Sequence, residues 1–119
     1  MSKADRVGDY LSHMLTALER IERYTADMDE AQFMANALVQ DAALRNIEII
    51  GEAANNIQRA APEFAAQHSE VPWLVVYTMR NRITHGYDSV DLAIVWRTIR
   101  SDLPALKIQI ERVRASVRA

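Results

Sequence analysis

The feature that most constrains this chain is an apolar spacing of three and four residues that runs through nearly its whole length. Val7, Leu11, Met14, Leu18 and Ile21 step this way, which lines side chains along one face of an α-helix. The spacing predicts a first helix over about 4–25. Asp27 or Asp29 can cap a second helix, which runs to about Ala61 with Ala43, Ile47, Ile50, Ala54, Ile57 and Ala61 in one stripe. Pro62 should stop it. Pro72 suits the first position of a third helix over about 72–84, with Val75, Val76, Met79 and Ile83 on its apolar face. Gly86 stands where a left-handed residue would end that helix. Asp88 or Ser89 can cap the last helix, whose stripe is Leu92, Trp96, Ile99, Leu103, Leu106, Ile110, Val113 and Val117. Pro104 lies inside the stripe and predicts a kink or short break with the phase kept. No segment alternates with the strand period. The expectation is an all-α protein, a single domain over residues 1–119, built as an antiparallel bundle of four main helices with the last kinked or split near Pro104.

Leu38, Leu44 and Ile49 lie off the stripe of the second helix. A helix apolar on more than one side is central or meets a second subunit. In a chain of 119 residues this leads to the expectation of a homodimer. The chain has no cysteine, which excludes disulfides and thiolate metal sites and suits a reducing compartment. MSKADRVGDY lacks the apolar run of a secretory signal, and no stretch nears the ~20 apolar residues of a membrane span. A cytoplasmic protein without membrane contact is expected. The net charge of −2 argues against a protein that coats nucleic acid. Its distribution is uneven, however. Residues 1–70 carry six Lys/Arg against twelve Asp/Glu, and residues 71–119 carry eight against four. The basic part has room for a local phosphate-binding patch.

That basic part contains MRNRITHGYDS, Met79–Ser89. Arg80 borders the apolar face of the third helix, in a row with Trp73 and Tyr77, so it should be partly desolvated and in need of an anionic partner. Glu52 on the second helix can orient it. His85 is expected at the helix C-terminus, where the dipole favours imidazolium and raises its pKa. A cationic arginine beside a titratable histidine suits RNA cleavage by 2′-OH attack, with His85 moving the proton and Arg80 stabilising the phosphorane. One histidine serves one proton function at a time, and a second His85 from a twofold-related subunit would complete an acid–base pair. The plain alternative stays open at this point: Arg80, Arg82 and His85 also form the cationic last turn that any helix favours.

The order Arg80, four residues, His85, one residue, Tyr87 resembles the signature of the HepT-like toxins, a branch of the HEPN superfamily. IGEAANNI at Ile50–Ile57 resembles that family's other recurrent stretch, and the resemblance in length and helix order spans nearly the whole chain. It implies a HEPN-like fold and a dimeric, metal-independent endoribonuclease acting as the toxin of a toxin–antitoxin module. It also implies a partner, an MntA-type minimal nucleotidyltransferase antitoxin. Carried onto this chain, Arg80 and His85 would be catalytic, Asn81 would support them, and Tyr87 would be the hydroxyl that the antitoxin modifies with AMP. Arg82 would hold RNA phosphate or the AMP anion. Some HEPN proteins are non-catalytic binding modules, so a helical adaptor for a nucleotidyltransferase or a nucleotide is the alternative, and a structural dimerisation bundle is a third reading.

Arg45, Glu48, Glu52, Asn55, Asn56 and Arg59 form a polar stripe on the second helix. It reads as a solvated face with an Arg45–Glu48 pair, or as the wall of a cleft. Glu48 and Glu52 lack the companion Glu-x-x-His of a helical metal site, so no metal and no cofactor are expected. His13 and His68 are expected to be exposed, and Trp96 to pack in the core. Tyr10, Ala17 and Tyr24 repeat every seven residues and could widen the core or form a dimer seam.

Overall fold

A computed structural model describes residues 2–85 and 89–118; the side chains of His85 and Arg118 lie outside the description. The elements are α1 (Lys3–Thr25), α2 (Glu30–Met34), α3 (Ala37–Ala60), α4 (Pro62–Gln67), α5 (Trp73–Ile83), β1 (Thr84–His85), β2 (Ser89–Val90), α6 (Leu92–Arg97), a π-helical turn (Thr98–Asp102) and α7 (Leu103–Arg118). The four main helices are α1, α3, α5 and the α6–α7 rod, an all-α, HEPN-like bundle. Among the described residues no helix is long and apolar enough to cross a membrane.

The stripes predicted for the first two helices are all buried, Val7 to Ile21 on α1 and Ala43 to Ala61 on and just after α3. They face one another because α1 and α3 pack along their length, with α7 against α1 and α5 against α3. Lys3 Nζ reaches Glu63 Oε1 at 2.7 Å, and this hydrogen bond holds the Glu63 carboxyl below the usual glutamate range. Lys107 Nζ reaches Glu22 Oε1 at 3.1 Å, and that contact raises the lysine pKa. The two pairs tie the start of α1 to α4, which directly follows the far end of α3, and the end of α1 to the start of α7, so neighbours run antiparallel.

Several boundaries differ from the sequence expectation. The long second helix is broken in two. Asp29 caps only α2, through Gln32 N–H to Asp29 Oδ1 at 2.8 Å. Asn36 then restarts the chain as the cap of α3, accepting from Val39 N–H at 3.0 Å. Each such cap is worth about 1 kcal/mol, and Phe33 is fully buried between the two starts. Pro62 does not merely stop a helix: it opens α4 in the first-turn position where its missing N–H costs nothing. Trp73 pins the loop after α4, its indole N–H shared between Ala65 O at 3.2 Å and His68 O at 3.1 Å.

The last helix carries a π turn in place of a simple kink. Leu103 N–H bonds Thr98 O, five residues back. The wider turn accommodates Pro104, which has no N–H and whose ring would otherwise strike the Arg100 carbonyl. The expected phase is not kept across it. Val95, Ile99 and Leu103 are all buried, two steps of four that would drift about 80° on an unbroken α-helix. The π turn absorbs the drift. Ahead of it Val95 holds the core position expected of Leu92 and Trp96, which are half-buried. Trp96 instead lies between the Phe33 ring, 5.2 Å away by centroids, and the Arg100 guanidinium, 4.3 Å from its own centroid. Arg100 donates to Thr25 O at 3.1 Å and to Met28 O, satisfying carbonyls at the end of α1.

Of the remaining side chains, Ala17 is buried, Tyr10 half-buried and Tyr24 36% exposed, so this row widens the core at Ala17 and leaves it at Tyr24. His13 is exposed. His68 is only half-exposed, lying 4.5 Å from the Phe64 ring and 3.4 Å from Glu70 Oε1.

Candidate active site on the α3–α5 seam

Gly51 decides how closely α5 approaches α3. A Cβ there would stand 3.3 Å from Tyr77 O and 3.5 Å from Val76 O, so any side chain would push the two backbones apart by a few tenths of an ångström. With Gly51 opposite Tyr77 and the helices antiparallel, Glu48, one turn earlier on α3, comes opposite Arg80, one turn later on α5. The Arg80 Nε to Glu48 Oε1 distance is 3.4 Å. The other carboxylate oxygen of Glu48 meets Arg45 Nη1 at 3.8 Å.

Glu48, and not Glu52, therefore engages Arg80. Glu52 lies one turn further on, level with the earlier part of α5. Arg80 is also less desolvated than its place beside the apolar face suggests. Its side chain is 61% exposed, because α5 buries only Trp73, Val76, Met79 and Ile83. Val75, expected on that face, is 48% exposed. A pair this open contributes at most about 1 kcal/mol to stability. Its consequence is geometric: Nε is occupied from the side, and the two terminal nitrogens stay free to take a phosphate in a fork.

Arg45, Glu48 and Glu52 from α3 and Tyr77, Arg80 and Asn81 from α5 line a cleft of about 190 Å³. Arg82 is not part of it. Two residues along a helix turn about 200°, and Arg82 lines a separate groove of about 290 Å³ between α5 and α7, with Met79, Asp102 and Leu106. The two arginines thus stand on opposite flanks of α5.

Helix α5 ends at Ile83, earlier than expected. Thr84 is already extended, and its hydroxyl donates to Arg80 O at 2.8 Å. Asp91 N–H bonds Ile83 O at 2.8 Å, and β1 pairs antiparallel with β2, Thr84 opposite Val90 and His85 opposite Ser89. His85 is therefore in a short extended segment just past the helix, not in its last turn. The cap of α6 is Asp91, which accepts from Ile94 N–H at 3.1 Å, and not Asp88 or Ser89. Gly86, Tyr87 and Asp88 lie outside the described residues, so the predicted helix stop at Gly86 and the predicted AMP acceptor Tyr87 have no described geometry. Among the described residues no group of three or more His, Asp or Glu is gathered as a metal site.

The fold and the motif together define a HEPN-type helical domain with an arginine cleft and a histidine on the adjoining hairpin. Residues 14–113 match the family described as Ribonuclease HepT-like, and the chain belongs to that HepT-like family. It is 37% identical over 106 residues to "Probable ribonuclease HepT" of Thermococcus cleftensis, covering 89% of this chain and 94% of that protein. It is 32% identical over 113 residues to "Putative RNase MJ1380" of Methanocaldococcus jannaschii, covering 95% of this chain and 100% of the relative. A third relative, "Gamma-glutamylcyclotransferase and putative RNase MJ0434" of the same organism, is 38% identical over 104 residues; the match covers 87% of this chain but 46% of that longer protein. No solved structure matches the chain.

Proposed function

We propose that this chain is a metal-independent endoribonuclease, the toxin of a two-gene module whose partner is a small nucleotidyltransferase. The observation that carries the reading is Arg80, held from the side by Glu48 in an open cleft and followed by His85 on the adjoining hairpin, in a chain of the HepT-like family. Relatives bearing ribonuclease names support the substrate class.

The chemistry is an internal transfer. The ribose 2′-oxygen attacks the adjacent phosphorus as His85 takes its proton, so the O2′–P bond forms. The P–O5′ bond breaks, and the departing 5′-oxygen takes a proton from His85 of a second copy. The products are a 2′,3′-cyclic phosphate and a 5′-hydroxyl. Arg80 places its free nitrogens on the non-bridging oxygens, where charge grows in the transition state. Glu48 positions Arg80, and Asn81, next along the same helix, supports the phosphate.

The acting unit is a homodimer. Leu74 is 62% exposed, Val75 48% and Leu38 80%, an apolar surface on α5 and α3 that suits a second copy. The partner nucleotidyltransferase silences the enzyme by placing AMP on Tyr87, which adds an anion and a bulky base two residues from His85. Arg82, on the other flank of α5, is available to RNA phosphate further along the strand or to that AMP.

The test is incubation of purified protein with RNA in EDTA, followed by analysis of the product ends. Cleavage to a 2′,3′-cyclic phosphate, lost in His85→Ala, is expected. Activity that vanishes in EDTA and returns with Mg²⁺ overturns the mechanism.

A further inference from the structure

RNA cleavage as described uses Arg80 and Glu48 of the α3–α5 cleft and leaves Glu52, Tyr77 and most of the polar capacity of Asn81 unexplained. Glu52 is the odd member. Four residues from Glu48 on the same face, it is a like charge that costs stability unless something answers it. Glu48 has an arginine on each oxygen. Glu52 is exposed and, among the described residues, has no hydrogen-bond or ion-pair partner. A free carboxylate beside a phosphate site repels the phosphate and suits hydrogen-bond donors elsewhere on the same ligand. Tyr77 stands at that cleft with 41% of its surface open, and Asn81, one turn on, is exposed as well.

Single-stranded RNA is read in this way, by stacking a splayed base on an aromatic ring and bonding its Watson–Crick edge. The four bases differ sharply in what they offer a carboxylate. Guanine presents two parallel donors, N1–H and the N2 amino group, which match two carboxylate oxygens. Adenine and cytosine each offer one amino group beside a ring acceptor that a carboxylate repels. Uracil offers one N3–H between two carbonyls. Asn81 can donate its amide to guanine O6, the acceptor next to N1–H.

Resting on the ribonuclease reading above, we propose that the α3–α5 cleft is a guanine-reading subsite for the nucleotide adjoining the scissile phosphate, with Glu52 on N1–H and N2–H, Asn81 on O6 and Tyr77 beneath the base. The charged groups of the cleft then have separate roles. Arg80 and Arg45 face phosphate, Glu48 holds the arginines, and Glu52 reads the base.

The experiment uses short 2′-O-methyl oligouridines carrying one central guanine, inosine, adenine or cytosine, which bind but cannot be cleaved. Binding is read by fluorescence anisotropy. Inosine lacks only the N2 amino group, so its oligonucleotide should bind about tenfold more weakly than the guanine one, the usual loss for a hydrogen bond to a charged group. Glu52→Gln should erase the difference, while the loss of its negative charge tightens every oligonucleotide alike. Tyr77→Leu should weaken every base-bearing oligonucleotide together. Equal binding of guanine and inosine, a preference that survives in Glu52→Gln, or no binding at all overturns the proposal. Cleavage of the matching unmethylated RNAs is scored separately. Guanine-selective binding without cleavage leaves the subsite standing and removes the ribonuclease reading, and cleavage without selectivity does the reverse.

Discussion

Arg80 and Glu48 meet across the α3–α5 seam with Nε 3.4 Å from Oε1. The contact leaves the forked end of the guanidinium open, so a carboxylate that could have neutralised the site instead aims it. Arg45 stands 3.8 Å from the second oxygen of Glu48, so the carboxylate lies between the two arginines.

Removing Arg80 should separate activity from stability. The side chain is 61% exposed, so Arg80→Ala should shift stability by no more than about 1 kcal/mol. RNA cleavage should fall by about 10²-fold or more, the usual cost of losing a transition-state contact. Arg80→Lys should recover little, since a point charge cannot supply the fork. Single-turnover cleavage rates with parallel thermal melts check both halves. Wild-type rates in Arg80→Ala would remove it from the mechanism.

Glu48 acts through Arg80, and its loss should show in kcat more than in KM. Glu48→Ala frees Arg80 to wander, and kcat should drop about tenfold with the melting temperature nearly unchanged. Glu48→Gln, which keeps an oxygen at the same reach, should recover part of the loss. A melting temperature that falls while kcat holds would mean that the contact only supports the fold.

Gly51 is the position where a small change should cost most. Gly51→Val puts a branched side chain against the Tyr77 backbone, which a single Cβ already approaches to 3.3 Å. Overpacking of this kind costs about 1–3 kcal/mol, and α5 must move outward, carrying Arg80 away from Glu48. Chemical denaturation should show the loss of stability, with cleavage falling alongside it. A valine variant as stable and active as wild type would show that α5 does not need the close approach.

Arg100 does not line the α3–α5 cleft and serves the fold. It satisfies carbonyls at the end of α1 and covers the Trp96 ring. Arg100→Ala should cost about 1–2 kcal/mol, a fall of roughly 5 °C in melting temperature, with cleavage per folded molecule unchanged. A loss of cleavage at full stability would instead place Arg100 in the site.

Tyr87→Phe keeps the ring and removes the hydroxyl that would accept AMP. The variant should cleave RNA as wild type does and escape silencing when co-expressed with its nucleotidyltransferase. Peptide mass spectrometry locates the adduct: AMP on another residue, with Tyr87 unmodified, would sink the regulatory proposal.

The helical period of Val7–Ile21 and of Ala43–Ala61 was enough to determine the class of fold and which faces meet, since a continuous apolar stripe has only one way to leave water. The cluster from Arg80 to Tyr87 could be singled out by its residue types and spacing, and the structure brings Arg80 and Asn81 of it into one cleft. Four features needed the tertiary structure. The cap at Asn36 and the π turn before Pro104 arise from competition among caps, core packing and a missing N–H, none of which has a period to read. The helix stop at Ile83 arises from the pairing of Thr84 with Val90 across the hairpin. The exchange of Glu52 for Glu48 as the partner of Arg80 depends on where α5 slides along α3, and Gly51 sets that register by contact with the backbone at Tyr77. A sequence records which side chains share a face of one helix; which residue lies opposite on the next helix is decided by how closely two backbones can approach.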